Sequence, residues 1–325
     1  MILTLTPNPS VDRTVPVDAL PRGAVIRSRR GRSEPSGKGV NVALALRSHG
    51  RSATAVLPVG GPVGAQLSQM LRLAGLPVRE VPVRGGIRSN ISLVEPDGTV
   101  TKVNEPGPEL DAGETEALVC AVLDDLAGVS WLACCGSLPD GVPPDLYAGL
   151  AEAARSRGVR VAVDTSGEPL RASLAGRPDL VKPNTAELAH LVGRPLRTFG
   201  DVIDAARQVR RLGADAVLAS LGADGALLVE AGGVRHAETR VARVVSAVGA
   251  GDAALAGFLY GGGAGMAALR TAVAWGAAAV QHEGTLFSAV DPAQTVLVST
   301  EVDPGRPLRD PHVPASSPAP RPPAS

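Results

Sequence analysis

The sequence predicts an α/β fold in which helices cover a mostly parallel sheet. Short apolar runs alternate with alanine- and leucine-rich stretches of helical periodicity. The chain has 325 residues, 44% of them apolar, enough to bury a sizeable core. In chain order, "MILTLT" at residues 1–6 reads as a first strand and "VNVALALRSH" at 40–49 as a helix. "ATAVLPV" (53–59) is a second strand and "GAQLSQMLRLAG" (64–75) a second helix that stops at glycine. Helix "ETEALVCAVLDDLA" (114–127) leads to strand "VSWLACC" (129–135), and helix "PDLYAGLAEAARSR" (144–157) to strand "VRVAVD" (159–164). Strand "DLVK" (179–182), helix "DVIDAARQVRRLG" (201–213) and strand "DAVLAS" (215–220) continue the alternation. "AGDAALAGF" (250–258) is an apolar helix preceded by a glycine turn.

Two stretches interrupt the pattern. Residues 11–28 and 87–105 are β-like, and the second centres a hairpin on Asp97-Gly98. Together they are expected to form a small β lid beside the main sheet. From residue 303 to 325 the chain is rich in proline and small polar residues, and is expected to be a disordered tail after a single domain spanning 1–302.

Composition narrows the functional classes. Lysine plus arginine and aspartate plus glutamate both total 32, so no broad basic surface for nucleic acid or anionic membrane is expected. Any anionic ligand must then be met by local charges. The three cysteines lack disulfide or CxxC spacing, and Cys134 and Cys135 lie within an apolar run. They read as buried thiols in a reducing compartment. No signal-peptide pattern or membrane-length apolar run is found, so a cytoplasmic protein is expected.

Candidate site residues collect after the strands. Asp164 and Ser166, Lys182 and Asn184, Ser220 and Gly222, and "CGSLPDG" each follow a strand candidate. In a parallel sheet all four groups fall on the carboxyl edge, where such sheets bind ligands. "SGKGVNVALAL" places Lys38 in a glycine turn and Asn41 at a helix start, suited to a phosphate or sugar hydroxyls. Its spacing is not that of the G-x-x-x-x-G-K-[ST] phosphate loop. In "VGAGDAAL", Gly249 and Gly251 allow close approach of an anion to helix-terminal amides, and Asp252 stands either as a helix cap or as a carboxylate beside that anion.

Nine segments occur in one order: "TLTPNPSVDRT", "SGKGVNVA", "IRSNISL", "NEPGPEL", "GSLPDGVP", "VDTSGEPL", "VKPNTAEL", "SLGADGALL" and "VGAGDAALAGF". In this set the chain resembles the ribokinase-like, PfkB-type carbohydrate kinases over residues 1 to about 290, and within them the 1-phosphofructokinase and tagatose-6-phosphate kinase branch. The resemblance implies a three-layer sandwich, ATP and Mg²⁺ as cofactors, and phosphorylation of a ketohexose phosphate, foremost fructose 1-phosphate. It implies Asp252 as general base and the amides of Gly249, Ala250 and Gly251 as an anion hole. Asn184 and Glu187 would help hold Mg²⁺ through water, and Lys182 would contact nucleotide phosphates. Ser220 and Gly222 would lie in the nucleotide-side loop, and small residues of "WGAAAVQHEG" would leave room for adenine.

The sugar side would comprise Asp12, Gly37, Lys38, Asn41, Arg88 and Asn90. Lys38 and Arg88 as a pair of cations suit a phosphate at the acceptor's remote end. They favour a sugar phosphate over a free sugar or nucleoside; the alternatives are tagatose-6-phosphate or 6-phosphofructokinase activity, or a kinase for an unphosphorylated sugar or nucleoside. Retention of Asp252 argues against a non-catalytic ligand sensor. Ser36 and Ala253 depart from the residues usual in the family, a glycine and a serine. The resemblance also implies a homodimer joined through its lids, with Arg88 near the interface.

Overall fold

The structure is a computed structural model that describes residues 1–28, 30–282, 284, 290 and 294–312. Its first third contains β1 (Ile2–Leu5), β2 (Ser10–Pro16), β3 (Arg32–Ser36), α1 (Lys38–Ser48), β4 (Ala53–Val59), α2 (Gly61–Leu73), β5 (Val78–Pro82), β6 (Arg88–Val94) and β7 (Val100–Asn104). The middle adds α3 (Ala112–Asp124), β8 (Trp131–Cys135), α4 (Leu146–Arg155), β9 (Arg160–Asp164), α5 (Gly167–Ser173), β10 (Leu180–Val181), α6 (Thr185–Val192), β11 (Leu196–Thr198), α7 (Phe199–Leu212) and β12 (Ala216–Ser220). Then follow β13 (Ala226–Glu230), β14 (Gly233–Glu238), α8 (Ala250–Tyr260), α9 (Gly265–Ala279), β15 (Leu297–Ser299) and β16 (Pro307–His312).

The main sheet has the order β15-β14-β13-β12-β10-β9-β8-β1-β4-β5. From β12 to β5 every pairing is parallel, whereas β13, β14 and β15 add on antiparallel. Strand β8 shows why a continuous apolar run suits this position. Leu132 and Cys134 point into the core beneath α3–α7, while Trp131, Ala133 and Cys135 face the core beneath α1, α2, α8 and α9. A strand covered on both faces must be apolar at every residue, which gives the expected three layers.

The lid is a separate four-stranded sheet of order β3-β2-β6-β7. Its hairpin turns where expected: Asp97 Oδ1 accepts from the Thr99 amide at 2.8 Å, and Gly98 takes φ 89°. The other half differs from expectation, because residues 17–28 hold no strand and β3 completes the sheet instead. "RSEPS" carries no apolar alternation, so periodicity could not mark it.

The C-terminal expectation needs correction as well. Residues 303–312, assigned to a disordered tail, include β16, which pairs antiparallel with β11 and buries Leu308. Proline is tolerated there because a two-stranded edge leaves one side of each strand unpaired. The remaining residues, 313–325, lie outside the described residues. One cysteine also departs from expectation: Cys134 and Cys135 are buried, with burial pushing both thiols up, but Cys120 is exposed on α3.

Candidate active site

The carboxyl ends of β9 and β10 bring the first charges together. Asp164, the last residue of β9, is fully buried, and Lys182 follows β10 directly. Lys182 Nζ lies 3.0 Å from Asp164 Oδ2, and Lys38 Nζ donates to Asp164 Oδ1 at 2.7 Å. Burial alone would raise the Asp164 carboxyl, but the Lys182 and Lys38 ammonium groups outweigh it and hold it below its usual value. For Lys38 burial acts the other way; Asp164 and Glu187 prevail and keep the amine protonated, above its ordinary value. Glu187 Oε1 stands 3.8 Å from Lys38 Nζ.

Lys38 is placed by the glycines beside it. Gly37 adopts φ 120°, and a Cβ there would stand 2.7 Å from Thr6 Cγ2; on Gly39 it would stand 2.8 Å from the Leu5 carbonyl. Only a backbone without side chains can pass this close to the end of β1, so α1 begins at the strand edges with Lys38 as its first residue. Three residues on, Asn41 Nδ2 donates to Asp252 Oδ2 at 2.7 Å in a buried contact.

Asp252 is not the cap of α8. That position belongs to Gly249, in a left-handed conformation with φ 79°, and Asp252 is the third residue of the helix. Its carboxyl is pushed up to about 6, first by burial and then by the charge of Asp164, against the pull of Lys38, Asn41 and Lys182. The first-turn amides of Ala250 and Gly251 have no intrahelical acceptor and sit at the positive end of the helix. A Cβ on Gly251 would lie 3.3 Å from Lys182 Nζ. Helix terminus and ammonium therefore flank one small space, with a carboxylate at its margin.

Asn184 and Glu187 form a capping box on α6. Asn184 Oδ1 accepts from the Glu187 amide at 2.8 Å, and Glu187 Oε2 accepts from the Asn184 amide at 2.9 Å. The N-x-x-E spacing is thus first a helix start, and it leaves Glu187 Oε1 toward Lys38. Ser220 forms a parallel bridge with Asn184, and its carbonyl accepts from Thr185 Oγ1 at 3.4 Å. Gly222 begins the turn that follows, in which Gly222 and Ala223 are exposed and Asp224 is buried. In "WGAAAVQHEG", Ala277, Ala278 and Ala279 are buried, and Gly276 packs against Ala250 and Ala254 of α8. Glu283 of that segment lies outside the described residues.

On the lid, parallel pairing of β2 with β6 aligns Ser10 with Arg88 and Asp12 with Asn90. Ser10 Oγ donates to Asp12 Oδ1 at 2.7 Å, and Asn90 Nδ2 donates to the same oxygen at 3.0 Å. Arg88 donates to the carbonyls of Asn8 at 3.2 Å and Glu105 at 3.1 Å. Lys38 and Arg88, expected as a pair on one phosphate, hence have different surroundings: Lys38 sits among carboxylates at the strand ends, and Arg88 on the lid.

Residues 6–292 match the model of the pfkB family carbohydrate kinases. The chain belongs to this family. It is 39% identical to a 1-phosphofructokinase of Rhodobacter capsulatus over 275 residues, covering 83% of this chain and 86% of that protein. It is 37% identical to the 1-phosphofructokinase of Escherichia coli strain K12 over 264 residues, 80% of this chain and 83% of that one. Among solved structures, phosphofructokinase-2 from Escherichia coli in complex with potassium superposes with a TM-score of 0.82 at 35% identity, over 88% of this chain and 94% of that chain.

Ser36 is buried as the last residue of β3, paired with Ser10, and Ala253 is buried inside α8. Two site residues carry little signal in the sequence. Asp164, which there only follows a strand, is the carboxylate that both lysines share. Ser10 links Asp12 to Asn90; its i, i+2 spacing from Asp12 on one face of a strand is the available signal. As for a metal, no three His, Cys, Asp or Glu side chains among the described residues converge to cage one. Glu187 Oε1, left over from the capping box, offers a single hard oxygen, which fits Mg²⁺ carried chiefly by nucleotide phosphates and water.

Proposed function

We propose that this kinase transfers the γ-phosphoryl group of ATP to fructose 1-phosphate, giving fructose 1,6-bisphosphate and ADP. The observation that carries the reading is the buried Asp252 carboxylate at the head of α8, beside Lys182 and held by Asn41. With a carboxyl near 6, Asp252 is mostly ionised at neutral pH yet basic enough to take the proton of the acceptor hydroxyl as that oxygen attacks the γ-phosphorus. The amides of Gly249, Ala250 and Gly251 and the Lys182 ammonium stabilise charge on the transferring group. Mg²⁺, held with the nucleotide near Glu187 and Asn184, would neutralise phosphate charge. Ser220 and Gly222 border the nucleotide.

Lys38 acts near the transferring phosphoryl group, bridging to Asp164, and Arg88 serves the acceptor's own phosphate from the lid. Gly37 holds Lys38 in place, and Asp12 and Asn90 receive sugar hydroxyls. The names of the related 1-phosphofructokinases support fructose 1-phosphate as acceptor; the similarity to a phosphofructokinase-2 supports fructose 6-phosphate as the second reading. The four-stranded lid presents β7, exposed along its length, and we infer a homodimer joined there. Among the described residues no helix is long and apolar enough to cross a membrane, in keeping with a cytoplasmic site of action. The test compares kcat/KM on fructose 1-phosphate, fructose 6-phosphate, tagatose 6-phosphate and fructose with ATP and Mg²⁺. A preference for any acceptor but the first overturns the assignment.

A further inference from the structure

Outside the strand-end site, a second charge network surrounds the buried Asp224, the last residue of the Gly222–Asp224 turn. Its side chain is 1% exposed. Arg306 Nη2 lies 3.1 Å and Arg309 Nε 3.2 Å from Oδ1, and the Arg309 amide donates to Oδ2 at 2.8 Å. Arg306 also pairs with Glu238 Oε2 at 2.6 Å, and its guanidinium lies over the Phe199 ring. The Asp224 carbonyl accepts from His236 Nε2 at 2.7 Å. Both arginines belong to residues 303–312.

The same segment secures the start of α7. The amides of Phe199 and Gly200 donate to the carbonyls of Arg306 and Pro304 at 2.9 and 2.8 Å, and a Cβ on Gly200 would stand 2.9 Å from the Pro304 oxygen. One arm thus links the α6–β11–α7 joint to the turn after β12. On its other side that turn is tied to the Asn184 end of α6, because the Ser220 amide donates to the Pro183 carbonyl at 3.1 Å. Between these anchors Gly222 and Ala223 are exposed, and an exposed glycine turn keeps one conformation only when its flanks are fixed. A phosphoryl donor displaced by about 1 Å loses much of its reactivity, and a buried carboxylate is tolerated only when paired.

We propose that Arg306 is a positioning residue for the phosphate donor: through Asp224 it sets the Ser220–Gly225 turn against the nucleotide. This rests on the placement of the nucleotide beside Ser220 and Gly222 given above. In the full-length enzyme, Arg306→Ala should raise KM for ATP and the Kd of a non-hydrolysable ATP analogue roughly three- to tenfold. KM for the sugar phosphate should stay within about twofold, and Arg306→Lys should recover part of the loss. Glu238→Gln, which keeps both arginines and frees Arg306 of one partner, should give an intermediate effect and carries the test with Arg306→Lys if the alanine variant does not fold.

Gly222→Val reports on the turn directly. If it weakens ATP binding while the Arg306 and Glu238 variants do not, the arm has no positioning role and the nucleotide placement stands. If none of them changes ATP affinity, the placement fails and the inference with it. An equal rise in both Michaelis constants, together with a lowered Tm, would mean that Arg306 only stabilises the fold.

Discussion

Replacing Asn41 with alanine should move the pH dependence of the reaction more than its substrate affinities. Asn41 Nδ2 donates to the buried Asp252 carboxylate at 2.7 Å, and a hydrogen bond to a charged group contributes about 1.5–3 kcal/mol. The bond favours the ionised form, so its loss raises the carboxyl by about one to two pKa units at ~1.4 kcal/mol per unit. From about 6 the base would move to between ~7 and ~8. At pH 7 the ionised fraction then falls from about nine-tenths to between one-half and one-tenth, and kcat falls in proportion if Asp252 must be ionised to act. Above about pH 9 the loss should largely disappear, because both enzymes are then fully ionised. The assay is kcat against pH at saturating ATP and sugar phosphate, with coupling enzymes shown not to limit. An acid limb that stays near 6 in Asn41→Ala, or a loss of kcat equal at all pH values, would refute Asp252 as a base whose ionisation Asn41 supports.

Asp252→Asn should lower kcat by about two or more orders of magnitude with little change in KM; a variant keeping a tenth of wild-type kcat would remove Asp252 as base. The same substitution should stabilise the fold at high pH. Because the folded carboxyl is raised from 3.8 to about 6, the native state binds the proton more tightly, and stability falls as pH rises from about 4 to 6. At pH 8 the ionised side chain costs at most on the order of 3 kcal/mol, so thermal melts should show Asp252→Asn above wild type at pH 8 and level with it near pH 4. Arg88→Ala should raise KM for the sugar phosphate far more than KM for ATP, through loss of charge-assisted bonds, whereas Lys38→Met should act mainly on kcat; steady-state kinetics with each substrate varied separates the two. Truncation after residue 312 should leave Tm and activity unchanged, but truncation after residue 302 should lower Tm by several degrees, since Leu308, β16 and the Arg306 pairs are removed; equal melts for the two truncations would show that the arm is dispensable.

Strands "ATAVLPV" and "VRVAVD" and helices such as α1 and α7 are legible in the sequence because each carries its own periodicity, and a parallel sheet makes the order of its motifs informative about one edge. From that alone Lys182, Asn184, Ser220 and Gly222 could be brought to the same side of the molecule, and the nine ordered segments named the chemistry, Asp252 included. Short strands such as β3, β11 and β16 could not be seen that way. Their residues alternate poorly, and they exist because a distant strand offers hydrogen bonds, as β11 does for β16 across more than a hundred residues. The same limit explains Asp164. Nothing in "VAVDTSG" says that two lysines, one from the start of α1 and one after β10, will converge on its carboxylate; that is decided by which strands lie side by side. Residue types and local spacing determined what this chain can do chemically, while the long-range pairings decided which charges meet, which become buried, and so which carboxylate is held low and which is raised toward neutrality.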